Sequence, residues 1–468
     1  MTPQYEHMPW QALGPERLEI RQVKPIRHAT DLVVGGAPRF LIVAPDDARY
    51  RDLAFSLEEA LLGAVTGAER VVTPERVTDE DKRSHHLIVL GDIGNNALLL
   101  ELYHAYYTAV DHAYPGTGGH VLQTVYDPWG YGTNAIVCGG SDLAGVQEAV
   151  ARAGVALCRA GGRTYVERLH DIAISPAFQA RYPTVSFECT EEHHAWLVQR
   201  AYERIEQGEH RRAMPILSHA GLMYNLTGDD RFGAAYRDVF KVVYQSASND
   251  PGNSPWSPWG FDADFQSAPV LGAWDVVEEC PLLTDEDRLY MTNHMLWYVQ
   301  HMVGHAQTHK PKRPAPRHNH YTFAALGVLL GAKYFQKYYQ WHEAEDWLRE
   351  ADDCFQRQAQ AYKANEDCNS YQWLTFYHTL RYALLRPDPA FLDGGTARFC
   401  MDLGIATMDN LGYQVPYGDV REYGGTFSEI PFYRAVTSLL KDPAYVPILE
   451  RKEQVAPRFE EGHSLLSG

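Results

Sequence analysis

The residues best equipped for chemistry cluster in four segments of the second half of the chain. The stretch GHAQTHKPKRPAPRHNHY, Gly304 to Tyr321, carries Lys310, Lys312, Arg313 and Arg317, four histidines and no acid, inside a chain of formal charge −18. Such a local reversal of charge attracts carboxylates or sulfates. Placing His318, Asn319 and His320 at the start of a helix adds the anion preference of a helix N-terminus. The competing reading is a solvated linker, which most charge runs are. His305 and His309 have the i,i+4 spacing of a metal pair on a helix, but the sequence offers no third ligand and no HExxH motif.

The other three segments are aromatic. SNDPGNSPWSPWGFDADF holds Trp256 and Trp259 in a stretch too rich in proline for a helix. Those rings either cover a core or stack on a sugar face. ANEDCNSYQWLTFYHTLRYAL concentrates Glu366, Asp367, Tyr371, Trp373, Tyr377 and His378, and DNLGYQVPYGDVREYGG places Tyr413, Tyr417, Asp419 and Arg421 among glycines. A tyrosine can work as general base or acid when nearby cations lower its pKa from about 10. Tyr377, followed by His378, is the first choice and Tyr371 the reserve; a core helix tyrosine is the rival reading of Tyr377. Asp262, Asp264, Glu366, Asp367 and Asp419 could instead supply the paired carboxylates of a glycoside hydrolase.

Composition narrows the classes. Aromatic residues make 12% of the 468 residues, which permits a carbohydrate binder. The acidic balance argues against nucleic acid as a partner. Seven cysteines without a CxxC pair suggest reduced, mostly buried thiols. No apolar run has the length of a membrane span, and MTPQYEHMPWQALGPERLEI lacks a signal pattern, so the chain as written reads as cytoplasmic; a trimmed signal would make it extracytoplasmic. GxSxG is absent, and GGSDLAG has neither GxGxxG spacing nor a P-loop lysine, so Gly139 and Gly140 read as a packing turn.

Two kinds of patterning must position these residues. From Arg39 to Ala153, apolar strand runs (RFLIVAP, HHLIVLGD, HVLQTVYD, NAIVCGG) alternate with helical stretches at Asp52–Val65, Asn95–Val110 and after Asp142. That alternation predicts a small α/β domain over 1–178, closed by a proline-broken linker from His170 to Cys189. Over 179–468 about ten helical patterns recur in pairs, from Glu191–Gly208 to Glu429–Leu440. They predict an α/α toroid, or an incomplete one, with its ligand where the loops meet. The expected fold class is therefore multidomain α and β.

LGDIGNN followed by GYGTNAIVCGGSDLAGVQEAVARA resembles the N-terminal domain of α-glucuronidases and β-hexosaminidases, an accessory without chemistry. The helical part, roughly 190 to 440, resembles the toroid of heparinase-type and alginate-type polysaccharide lyases. It does so through LTGDDRF, HNHYTFAALGVLLGAKYF, the YH segment about fifty residues later and LGYQVPYGD. The resemblance implies β-elimination on a uronic-acid-containing glycan. Asn319 and His320 would neutralise the carboxylate and Tyr377 or Tyr371 would move the proton, with His378 beside it. Arg317, His318, Trp256, Trp259, Trp373, Glu366, Tyr417 and Arg421 would bind substrate. The residues themselves point to no cofactor, although a divalent metal stays open, and to no membrane or nucleic-acid partner. Family members carry a following β-sandwich that is not found up to Gly468, so a homo-oligomer or a separate sandwich partner is the expected complement. A toroid hydrolase and a non-catalytic glycan binder are the alternatives.

Overall fold

The structure, a computed structural model, describes residues 18–26, 29–63, 70–246, 263–308, 310, 317–361, 368, 371–386, 390–418 and 429–455. It is a mixed α and β molecule with two sheets and seventeen α-helices among the described residues.

The first unit contains all the strands among the described residues: β1 (Ala29–Val34), β2 (Ala37–Pro38), β3 (Phe40–Val43), β4 (Val71–Val72), β5 (His86–Gly91), β6 (His120–Val125), β7 (Ala135–Gly139), β8 (Leu157–Ala160), β9 (Arg163–Glu167) and β10 (His170–Ala173). Its helices are α1 (Ala48–Leu62), α2 (Asp79–Ser84), α3 (Ala97–His104) and α4 (Leu143–Val155). The larger sheet runs β10-β6-β7-β5-β3-β4, with β4, β3, β5 and β7 parallel and β6 and β10 antiparallel to their neighbours. Its side chains alternate in the two-residue period of a strand. Phe40 and Ile42 point into a core shared with α1 and α4, while Leu41 and Val43 join the larger core that also holds the helices of the second half. Both faces are thus covered, which is why the runs read as continuously apolar. A second sheet, β2-β1-β9-β8, was not anticipated from the sequence; its strands are short and half exposed.

Gly139 and Gly140 prove to be packing residues. A Cβ on Gly139 would overlap Val110, and one on Gly140 would overlap the backbone of Gly145 and Val146 at the start of α4. The expected helix Asn95–Val110 is shorter, because Ala105 ends α3 and Tyr106 takes a left-handed φ of 64°. The expected linker also carries structure: β10 pairs with β6, and α5 (Pro176–Arg181) is capped by Ser175. All seven cysteines are free thiols, six of them buried.

The second unit comprises α6 (Glu191–Glu206), α7 (His210–Thr227), α8 (Asp230–Ser246), α9 (Ser267–Val277), α10 (Asp285–Thr308), α11 (Asn319–Tyr339), α12 (Ala344–Gln358), α13 (Tyr371–Leu385), α14 (Ala390–Asp393), α15 (Thr396–Ala406), α16 (Glu429–Leu440) and α17 (Val446–Val455). Gly228 ends α7 with a left-handed φ of 66°, the turn expected from LTGDD. Gly394 and Gly395 separate α14 from α15, with Gly395 at φ 83°. No helix among the described residues is long and apolar enough to cross a membrane.

The α/β unit seats against one end of these helices. Asn225 of α7 donates to the Tyr106 carbonyl, Asp275 of α9 accepts from Tyr107, Arg381 of α13 reaches Tyr106 and the His104 carbonyl, and Ser438 of α16 donates to the Ile93 carbonyl. A cleft of about 830 Å³ opens along this seam, lined by Trp129, Tyr131, Glu101, Lys333, Lys337 and Arg386 among others.

Candidate functional site

The chemistry-bearing residues gather at the opposite end of the helices. Along α11, His320 lies roughly 25 Å from Lys337 at the helical rise, and Lys337 already reaches the α/β seam through Asp275. At the far end a short turn, Ala263–Gln266, enters α9, α10 finishes and α11 begins. Ser267 fixes that turn by donating to the Asp264 carbonyl at 2.7 Å and the Phe323 carbonyl at 3.2 Å, and Ser218 of α7 donates to Gln266 at 2.6 Å. Gly327 of α11 permits the approach, since a methyl there would overlap Ser267.

This framing buries the Asp264 side chain completely and aims it between two histidines. His320 Nδ1 lies 2.9 Å from Asp264 Oδ2, so that nitrogen donates and carries the proton. His305 Nε2, in the last turn of α10, lies 3.7 Å from Asp264 Oδ1. The His320 ring stacks on Phe265 with centroids 4.9 Å apart, and the His318 ring is 6.2 Å away. The histidine side chains are 14% and 20% exposed, so they form the surface over a buried carboxylate. Asn319, itself buried, accepts the His320 backbone N–H through its side-chain oxygen at 2.8 Å. Asp264, His305 and His320 each offer a donor atom, all within 4.8 Å of one another.

Sequence reasoning named each of these residues without joining them. Asp264 stood among the hydrolase acids, His320 among carboxylate binders, and His305 was paired with His309, which lies outside the described residues. The third ligand that the sequence lacked comes from another loop altogether. Only the knowledge that α9 and α11 are packed neighbours could have revealed it.

Several expected roles are corrected. Arg317 is 1% exposed and turns inward, donating to Asp353 of α12 at 2.8 Å with its guanidinium over the Tyr321 ring. Lys310 likewise pairs with Asp353 at 3.1 Å and Glu350 at 3.4 Å. The acidic face of α12 neutralises this part of the basic stretch, because pairing repays the desolvation of a buried charge. Trp373 is fully buried among Phe376, Phe432 and Tyr433 and offers no stacking face. His378 is also buried, 3.0 Å from the Thr322 hydroxyl and against the Phe323 ring. Burial, reinforced by Arg381, holds its pKa well below the usual imidazole range, so it stays neutral.

Tyr377 precedes His378 on α13, which meets Thr322 of α11. Its ring packs on His104 of the α/β unit at 5.6 Å and near the Arg381 guanidinium at 5.9 Å. Tyr371 begins α13, six residues or about 9 Å nearer the loop end. There Gln372 donates to the Tyr417 hydroxyl at 2.6 Å. His318 sits at the N-terminal boundary of α11, partly exposed. Trp256, Trp259, Asp262, Lys312, Arg313, Glu366, Asp367, Asp419 and Arg421 lie outside the described residues.

No family model and no curated protein sequence matches the chain. The case for a function therefore rests on the geometry above.

Proposed function

We propose that this protein is a carbohydrate-active enzyme that cleaves an anionic, uronate-containing glycan by β-elimination at the loop end of an α/α toroid. The carrying observation is a fully buried carboxylate, Asp264, hydrogen-bonded to His320 and 3.7 Å from His305 where the paired helices end. The toroid reading is supported by the packing of successive helices, α7 on α8, α10 on α11 and α11 on α12, with the α/β unit against the far end. A uronate presents a carboxylate next to a weakly acidic C–H. The proton becomes removable once positive charge or hydrogen bonds neutralise that carboxylate. His305 and His320 can supply both, and Asp264 holds them in place. Tyr371 takes the proton role in this reading, since it starts α13 at the same end as His320, whereas Tyr377 belongs to the seam with the α/β unit. With Arg317 and Lys310 engaged by α12, the histidine cluster is the described group that supports carboxylate binding.

A panel of uronate polysaccharides, followed in the near ultraviolet for the unsaturated product, tests the reading. His320→Ala and Tyr371→Phe should each lower product formation by about a hundredfold or more. Tyr377→Phe should leave it nearly unchanged. Reducing ends without the chromophore would replace elimination with hydrolysis, and full activity in both site variants would dismiss the site.

A further inference from the structure

We propose that Asp264, His305 and His320 form a binding site for a divalent transition-metal ion. This deepens the elimination reading, because the ion would be the positive charge that meets the substrate carboxylate.

The geometry carries the argument. In a tetrahedral zinc site, bonds of about 2.05 Å separate neighbouring ligand atoms by about 3.3 Å. The two described separations, 2.9 Å to His320 and 3.7 Å to His305, straddle that value, and the three donor atoms fall within 4.8 Å. Two nitrogens and one carboxylate are the donor set of zinc, cobalt, nickel or manganese; calcium and magnesium prefer all-oxygen shells. Three protein ligands leave a position open for a water or a substrate oxygen, the pattern of a reactive rather than a structural site.

The burial of Asp264 is the second observation. Among the described residues neither lysine nor arginine pairs with this fully buried carboxylate, and Oδ1 has no hydrogen-bond donor. A buried carboxylate oxygen left without a donor is costly. A cation between Oδ1 and His305 removes that cost. The shell around the ligands is also ordered, with Phe265 stacked on His320 and Ser267 and Ser218 locking the turn that carries Asp264. On binding, the ion takes the place of the proton on His320 Nδ1, and that proton passes to Nε2 or to solvent.

The test uses the full chain stripped with a chelator and titrated with cobalt(II) chloride, then with zinc chloride. One equivalent of cobalt should produce ligand-field bands in the visible, and one equivalent of zinc should abolish them. Asp264→Asn and His305→Ala should each weaken cobalt binding by about tenfold or more, while Asp353→Asn, which lies outside the cluster, should not change it. Zinc should also raise the melting temperature of the parent protein and not that of His305→Ala. His305 is a half-buried helix residue, so this variant keeps the test open if Asp264→Asn fails to fold. Absence of the visible bands, or equal affinity in His305→Ala, overturns the site. Because these readouts involve no glycan, metal without product would sink only the elimination reading, and product from metal-free protein would sink only the metal.

Discussion

The Tyr107 hydroxyl of the α/β unit donates to the Asp275 carboxylate of α9 at 2.7 Å. The same carboxylate receives Lys24 at 2.8 Å, Lys337 at 3.0 Å and Tyr338 at 2.8 Å. Burial alone would raise the pKa of Asp275; Lys24 and Lys337 outweigh it and hold the group well below the usual carboxylate range. Removing the acid takes the carboxylate from the buried Lys337 ammonium, while Lys24 keeps Glu279 at 2.9 Å and Glu278 at 3.2 Å. Asp275→Ala should therefore cost about 3–5 kcal/mol in denaturant unfolding, and a loss under about 1 kcal/mol would contradict this view of the seam.

Buried and half-buried histidines set the response to acid. Burial pushes His170 down to about 3 and His219 and His294 down to about 4, and it lowers His378 well below its ordinary value. Their folded pKa values lie below the unfolded 6.5, so under pH 6.5 the unfolded chain binds more protons and stability falls. Asp111, raised by burial to about 6, acts in the opposite sense between pH 4 and 6, as do Asp92, Asp230 and Glu278, which burial also raises, while His193, lowered by burial, adds to the fall. Melting temperature should be nearly level from pH 7 to 8 and decline steadily from pH 6.5 to 4.5. A rise over that interval would show that these imidazoles are not buried neutral.

Lys333 should be unusually nucleophilic. Its ammonium lines the seam cleft, donates to the Leu385 carbonyl at 2.9 Å, and is pushed down to about 8 by burial. At pH 7.5 about a quarter of it would be neutral, against about 0.1% of an ordinary lysine. Acetylation with a limiting active ester, read by peptide mass spectrometry, should mark Lys333 ahead of the exposed Lys441. The folded pKa is depressed, so stability from this group increases as pH rises from 8 toward 10.5. Lys333→Met should accordingly stabilise most at pH 7 and least at pH 10.

Gly272 faces the Tyr106 ring so closely that a methyl there would overlap it, while Arg381 covers the ring at 3.9 Å. Overpacking of this kind costs about 1–3 kcal/mol. Gly272→Ala should lower the melting temperature, and adding Tyr106→Leu should recover part of the loss. Independent, additive effects would show that the two residues do not share this space.

Strand runs such as FLIV at Phe40 and helical periods such as NHYTFAALGVLL were legible because each buries a face in its own period. The second sheet was not, since its strands are two to six residues long and half exposed. At the site, residue types were readable but their partners were not. Arg317 looked like a free cation because the sequence cannot show Asp353 waiting on the next helix, and Trp373 looked like a sugar platform because helix α16 was not yet beside it. Asp264 and His320, 56 positions apart, meet only through the packing of α9 against α11.

Leu41, Val43, Leu87 and Val89 of the sheet share a single apolar body with Leu217, Leu271 and Leu326 of the helices. Neither half therefore has a private interior on that side. Expressed by itself, the helical half would present a raw greasy footprint where the strands had been, and it should clump. In the intact protein both halves melt together, so a scanning calorimeter should record one peak.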